Sequence, residues 1–447
     1  MKRSRLKTLV MLVVGLTVAL TAGSAGAVAF TVNTTADTHD RTPGNSSCAD
    51  TSRFPRCSLR AAIEEANALN GNITITLPAG TYRLNPAFGQ LTVTAPITLN
   101  GAGSGTTIID GQGQTRVMEV DVISIILSSV TLQNGNGCPS SAGCGTSRPG
   151  GDLLVGANGW VTARHDLFTV SSPLDSPAFP GGGGDVRGVL DLTNSTFANN
   201  STPSDAFGGQ MFSGGGLFIE QAGSAIVDYS TFSGNAATRG GGIGVGGGNI
   251  TLRNSTVSSN TSQVEAGAGL WVSGNGLNRV MYTTIVRNTI LSPSQDPAVL
   301  NIWGAGIAMY LGNLSLGKCI IAENVDPRGQ FSPHFSPDIG QDSSSSIVSY
   351  DDNLIGVVGE HLGNYVGADG NPWDWFGNAF VQLGPLGNNG GETFTHELQD
   401  GDPIDSYSGD GGDVAFAAPG DDQTHFPRPR DGNGDGVALA DSGSYEF

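Results

Sequence analysis

Apolar and polar residues alternate in five short segments that return with one pattern. Residues 190–200 read LDLTNSTFANN, 225–235 AIVDYSTFSGN, 250–260 ITLRNSTVSSN, 278–288 NRVMYTTIVRN and 314–324 LSLGKCIIAEN. Their starts lie 35, 25, 28 and 36 residues apart, which is a repeat with variable insertions. In register, Leu192, Val227, Leu252, Val280 and Leu316 share one face while Thr193, Asp228, Arg253, Met281 and Gly317 share the other. A period of two is the signature of a strand.

Between these segments a second motif recurs: GGGLFI from Gly214, GGGIGV from Gly240, GAGLWV from Gly267 and GAGIAM from Gly304. Each is a glycine corner leading into a short strand. Two or more strands per turn of about 25 residues leave little room for helix, so the pattern predicts an all-β chain wound as a right-handed parallel β-helix. Stacked coils would place Asn200, Asn235, Asn260, Asn288 and Asn324 above one another as a ladder of amides. Residues 125–132 (IILSSVTL) and 161–168 (VTARHDLF) fit the template less cleanly, and the full count is roughly nine or ten coils, a rod on the order of 45 Å.

Toward the N-terminus, residues 57–71 read CSLRAAIEEANALNG. Ser58 is placed to cap a helix whose Leu59, Ala62, Ile63 and Ala66 fall on one face. With its CSLR opening this segment resembles the CSLREA domain of secreted bacterial β-helix proteins, with Ala61 where that motif has Glu. A helix here would cover the open first coil, whose strand edges are otherwise unpaired. Toward the C-terminus, the pieces LGPL, NNGG, FPRP, DGNGDG and SYEF occur in order over about the last 65 residues. They resemble the choice-of-anchor Q domain of secreted and surface-attached β-helix proteins. The expected organisation is a signal peptide over 1–27, a CSLREA-like cap over 28–71, a pectate-lyase-like solenoid over 72–325, an irregular connection over 326–379 and a choice-of-anchor Q-like tail over 380–447.

Composition supports this picture. Glycine, 68 of 447 residues, is about twice its usual frequency without a collagen period, and hydrophobic residues still reach 38%, as a folded, turn-rich β protein requires. Residues 1–27 have a basic start, an apolar run from Leu9 to Leu20 and a small-residue exit at Ala25-Gly26-Ala27, the form of a secretory signal. No later run is long enough to span a bilayer. The net charge of −19 becomes −23 once the four cations of the leader are removed. Such a surface disfavours nucleic acid and anionic lipid, and it repels polyuronates unless calcium intervenes. The mature protein is expected outside the cytoplasm, as a monomer.

Five cysteines in an exported chain suggest two local disulfides, Cys48 with Cys57 and Cys138 with Cys144. Cys319 aligns with Ser195, Ser230, Ser255 and Thr283 in a row of small inward residues and reads as a buried spare thiol.

Candidate chemistry is sparse. In DGNGDG, Asp431, Asn433 and Asp435 stand at positions 1, 3 and 5 of a calcium loop, with Gly436 at the sixth. Ser442 replaces the usual Glu at position 12, and Asp441 is the nearest acid; a Gly-Asp turn is the competing reading. Arg164, His165 and Asp166 interrupt the repeat with a base, an acid and a cation, but Asp166 falls in the inward hydroxyl row, where a buried carboxylate satisfied by its neighbours accounts for it. Asp228 and Arg253 read as a surface cross-strand pair. Trp271 alternates outward between Gly244 and Ala308, and the insertions at 201–213, 261–266 and 289–303 all fall at one corner. They would wall a shallow groove with Phe218, Trp271 and Trp303 as ligand-binding aromatics. A covering loop over Trp271 is the alternative. The functional expectation is a secreted or cell-surface protein presenting a binding or adhesion surface to a polysaccharide or other cell-surface component. Alternatives are an extracellular polysaccharide lyase or hydrolase and a purely structural surface component. No catalytic residue is assigned.

Overall fold

The computed structural model describes residues 28–121, 124–137, 150–170, 181–202, 213–263, 266–291, 304–327, 337–350, 352–357, 364–367, 374–376, 382–398, 420–429 and 442–445. The expected leader over 1–27, Cys138, Cys144, Trp303 and the proposed calcium ligands Asp431, Asn433, Asp435 and Asp441 lie outside the described residues.

Three parallel sheets of 12, 11 and 9 strands run the length of the molecule. The first extends from Ala29–Thr31 to Tyr365–Gly367, the second from Gly80–Arg83 to Trp375–Phe376, and the third from Leu91–Val93 to Ile339–Gln341. At the usual strand spacing, twelve strands give a rod of about 50 Å.

One coil shows how the sequence sets the turns. Val189–Thr193 lies in the first sheet, Asn194 turns the chain with φ of 50°, and Thr196–Ala198 enters the second sheet. The corner recurs at Tyr229, Asn254, Tyr282 and Lys318, all left-handed, so a single residue makes the bend in every coil. The third sheet is entered through a glycine. At Gly267, φ is 70° and a Cβ would stand 2.7 Å from the carbonyl oxygen of Leu270, which only glycine tolerates.

The predicted inward row Leu192, Val227, Leu252, Val280 and Leu316 is in register and buried. Beside it Phe168, Phe197 and Phe232 stack with centroids 4.3 and 5.2 Å apart. The asparagine ladder also forms. The backbone N–H groups of Asn200, Asn235, Asn260 and Asn288 each donate to the next Oδ1 at 3.0 Å. Each Nδ2 donates both to that same oxygen and to a carbonyl of the preceding coil, as Asn260 does to Asn288 at 3.0 Å and to Phe232 at 3.0 Å. Every buried amide in the ladder is thereby satisfied.

At the N-terminal end the helix Leu59–Leu69 begins where expected, with Ser58 Oγ accepting from the Ala61 N–H at 3.1 Å. Leu59, Ala62, Ile63 and Ala66 are buried against the first coils. Arg60 forks onto Asp37 at 2.7 and 2.9 Å and donates to the carbonyls of Gly89 and Gln90. Cys48 and Cys57 form the expected disulfide.

Two boundaries differ from the sequence expectation. The stack continues past residue 325 through Ile339–Gln341, Ser346–Ser349, Leu354–Ile355, Tyr365–Gly367 and Trp375–Phe376, so 326–379 is not simply irregular. The ladder changes residue there: Asp338 Oδ1 accepts from Asn324 N and Nδ2 at 3.1 and 2.8 Å, and an Asn-based pattern stops one rung early. The described parts of the C-terminal tail, including an antiparallel pair Leu383–Gly387 and Thr395–Leu398, form no separate body. They pack on the outward side of the second sheet.

Candidate functional site

The outward row of the third sheet runs Thr92, Glu119, Leu154, Asp185, Phe218, Gly244, Trp271, Ala308 and Gly340. One residue beyond the inward Val186 and Ile219, Arg187 and Glu220 point outward again on adjacent coils. Two arginines and three carboxylates therefore collect at one end of this face, and two aromatic rings at the other.

Asp185 is the anomaly of the set. Its side chain is fully buried on the solvent side of a sheet, and neither carboxylate oxygen accepts a hydrogen bond. Arg187 Nε lies 3.4 Å from Oδ1, and Arg187 Nη2 lies 3.2 Å from Glu220 Oε1, so one guanidinium bridges the two acids. Burial pushes the Asp185 carboxyl well above the usual range and the Glu220 charge adds to this; Arg187 and Arg116 pull the other way. Burial in that position favours the neutral carboxyl over the carboxylate. Arg187 and Glu220 are 30% and 35% exposed and form the accessible part. Arg116, itself buried, donates to Gly150 O at 2.9 Å, Gln90 Oε1 at 2.7 Å and Glu119 Oε2 at 3.3 Å.

At the aromatic end the Phe218 ring lies over two glycines: a Cβ on Gly244 or Gly246 would meet it at 3.0 or 2.7 Å. Trp271 packs with Ala266, Ala308 and Phe218. Its indole is not open. It is 5% exposed, with the Arg239 guanidinium 3.9 Å from the ring centroid, and Arg239 is held by Ser213 Oγ at 2.8 Å. The covering alternative therefore describes Trp271, whereas Trp160, on the outward side of the first sheet, is 48% exposed.

The Arg164-His165-Asp166 cluster does not assemble. Asp166 turns inward, where Oδ1 and Oδ2 accept from the N–H groups of Val130 and Arg164 at 2.9 and 3.0 Å, and burial raises it to about 7. His165 sits at the left-handed corner and pairs with Glu392 of the tail. Cys319 is buried, burial pushes its thiol up to about 12, and it donates to Val280 O at 3.2 Å. Asp228 and Arg253 form the expected pair at 2.7 and 2.6 Å.

Sequence reasoning missed Arg116, Glu119, Asp185, Arg187 and Glu220. The signal was GGGGDVRG from Gly181, a glycine corner with an Asp where later copies carry Phe218, Gly244 and Trp271.

A family described as "Right handed beta helix region" matches residues 183–355, the coils that carry this face from Asp185 onward. The chain is a right-handed parallel β-helix. No curated protein sequence matches it. Among solved structures, the β-helix is similar to pectin methylesterase PemA from Erwinia chrysanthemi at 11% identity over 74% of this chain and 88% of that one, with a TM-score of 0.27. It is also similar to the PL6 family alginate lyase AlyGC at 12% identity over 73% of this chain and 53% of that one, with a TM-score of 0.23.

Proposed function

We propose that the outward face of the third sheet is a glycan-binding face, and that the protein acts at the cell exterior by presenting it. The observation that carries this reading is the Asp185–Arg187–Glu220 network lying one strand from Phe218 on a single outward surface. Sugars are gripped by fixed polar groups that meet hydroxyls and by rings that meet the apolar sugar face. Arg187 and Glu220 supply donors and acceptors of nearly balanced charge beside an aromatic ring, on a chain of net charge −19. That balance favours a neutral glycan over a polyuronate. Export by the leader, and calcium at Asp431, Asn433, Asp435 and Asp441, belong to this reading on sequence grounds. The test is retention of residues 28–447 on a panel of immobilised neutral and acidic polysaccharides, where retention on none rejects the reading.

Asp185 favours a second reading, in which the face also cleaves its glycan. Burial disfavours ionisation of Asp185 beside the partly exposed carboxylate of Glu220, the unequal pair that glycoside hydrolysis uses once the acid can reach the glycosidic oxygen. Sugar release scored in the same panel separates cleavage from binding.

A further inference from the structure

The second sheet has an outward face that changes character along the rod. One row reads Thr196, Thr231, Thr256, Thr284, Ile320 and Leu354, and beside it run Ser258, Val286 and Ala322. Thr196 is half-buried, as are Ile108 and Leu167 nearer the N-terminus, with the buried Thr131 between those two, and from Thr231 onward the first row is buried throughout. The cover is the C-terminal tail. Leu383 and Leu398 close over Val286, Ile320, Ala322 and Leu354.

Most of the remaining contacts are polar. Thr231 Oγ1 donates to Phe394 O at 2.6 Å and Thr256 Oγ1 to Gln423 Oε1 at 2.7 Å. The Ser444 N–H donates to Thr284 Oγ1 at 3.0 Å. Arg287 donates to the carbonyls of Gly384 and Leu383, both at 3.0 Å. An attachment built on single hydrogen bonds over a small apolar patch is worth little per contact, so one buried ionisation can decide it.

His396 supplies that ionisation. It is 1% exposed between tail and sheet. Nδ1 faces the Gly384 carbonyl at 2.8 Å, which fixes the proton there, and Nε2 accepts from Ser258 Oγ at 2.8 Å. Among the described residues the cation against it is Arg287, with Nη1 3.4 Å from Nδ1, and the Arg287 guanidinium is itself paired with Glu323 at 2.7 Å. The neutral ring is therefore the form this pocket fits. A second positive charge would enter a dry site beside a guanidinium, with one carbonyl and one hydroxyl to meet it.

We propose that the C-terminal segment is a releasable strap: it seals the second sheet while His396 is neutral and lets go when His396 is protonated. Burial, and next to it Arg287, lowers the affinity of this ring for a proton, with Gly384 O and Glu323 partly offsetting the effect. The released strap binds the proton more readily than the docked one. Docking is thus strongest above the ordinary histidine value of about 6.5 and weakens as pH falls below it. Two other histidines face the strap interface. His165 pairs with Glu392, and His425 lies 3.2 Å from Asp421, whose other oxygen accepts from Tyr229 at 2.6 Å. Both pairs are partly exposed and correspondingly weak. Release uncovers Val286, Ile320, Ala322 and Leu354 and frees the tail without unwinding a coil.

The test is limited proteolysis of residues 28–447 at pH 7.5 and pH 5.0, with protease activity normalised on an unfolded substrate. Cleavage within 382–398 or 420–429 should accelerate about tenfold or more at pH 5.0 while far-UV circular dichroism stays constant. His396→Gln, which keeps a donor and an acceptor without charge, should remove the acid response, and the double variant His165→Gln/His425→Gln should keep it. Equal cleavage of the wild type at both pH values overturns the proposal, as does an undiminished response in His396→Gln. If His396→Gln is cleaved rapidly at both values, the other two proteins decide: an acid response in both supports the strap, and its absence from the double variant overturns it.

Discussion

Arg187 Nε lies 3.4 Å from the buried Oδ1 of Asp185, and neither oxygen of that carboxylate accepts a hydrogen bond. A buried polar group in this state costs stability, more so when charged. Its folded pKa lies above the unfolded value, so its contribution is complete at acid pH and declines as pH rises. Asp185→Asn should therefore melt a few degrees higher than the wild type at pH 8 and no higher near pH 4. Thermal melts across that range check it, and a lower melting temperature at pH 8 contradicts it.

Asp166 makes the opposite case. Both oxygens accept backbone N–H groups at 2.9 and 3.0 Å, and an amide can serve only one of them. Asp166→Asn should cost about 1–3 kcal/mol in denaturant unfolding; an unchanged midpoint would show that the corner does not need the carboxylate.

The ladder gives a third expectation. Asn260 accepts from Asn235 N and Nδ2 and donates to Asn288 and Phe232. Asn260→Leu strands several buried groups together and should cost about 3 kcal/mol or more.

Because Trp271 packs with Ala266, Ala308 and Phe218 under Arg239, Trp271→Ala should lose about 3–5 kcal/mol. Arg239→Ala should leave the fold intact and raise tryptophan quenching by acrylamide. Quenching equal to that of the wild type would mean that Arg239 does not shield the ring.

The repeat made the fold legible because apolar residues at a fixed spacing can be buried together only by stacking. Leu192 to Leu316 and the ladder followed from alignment alone. Cys48–Cys57 followed from local spacing. Asp185 was hidden because its neighbours Leu154 and Phe218 are set by register across long insertions. The strap was hidden for a different reason: contacts such as Thr256 with Gln423 join segments that share no period. Asp338 concealed the last coils by doing the work of an asparagine with a different side chain.

The central claim is that the Arg187–Glu220 end of the third sheet holds a glycan. Its most direct test compares wild-type residues 28–447 with Arg187→Ala/Glu220→Ala on whichever polysaccharide of the panel retains the wild type, at a temperature where both proteins are folded by circular dichroism. The account predicts that retention of the double variant falls at least tenfold, since both side chains are partly exposed and can meet a ligand. Undiminished retention of the folded double variant would contradict it and move the binding surface elsewhere on the rod.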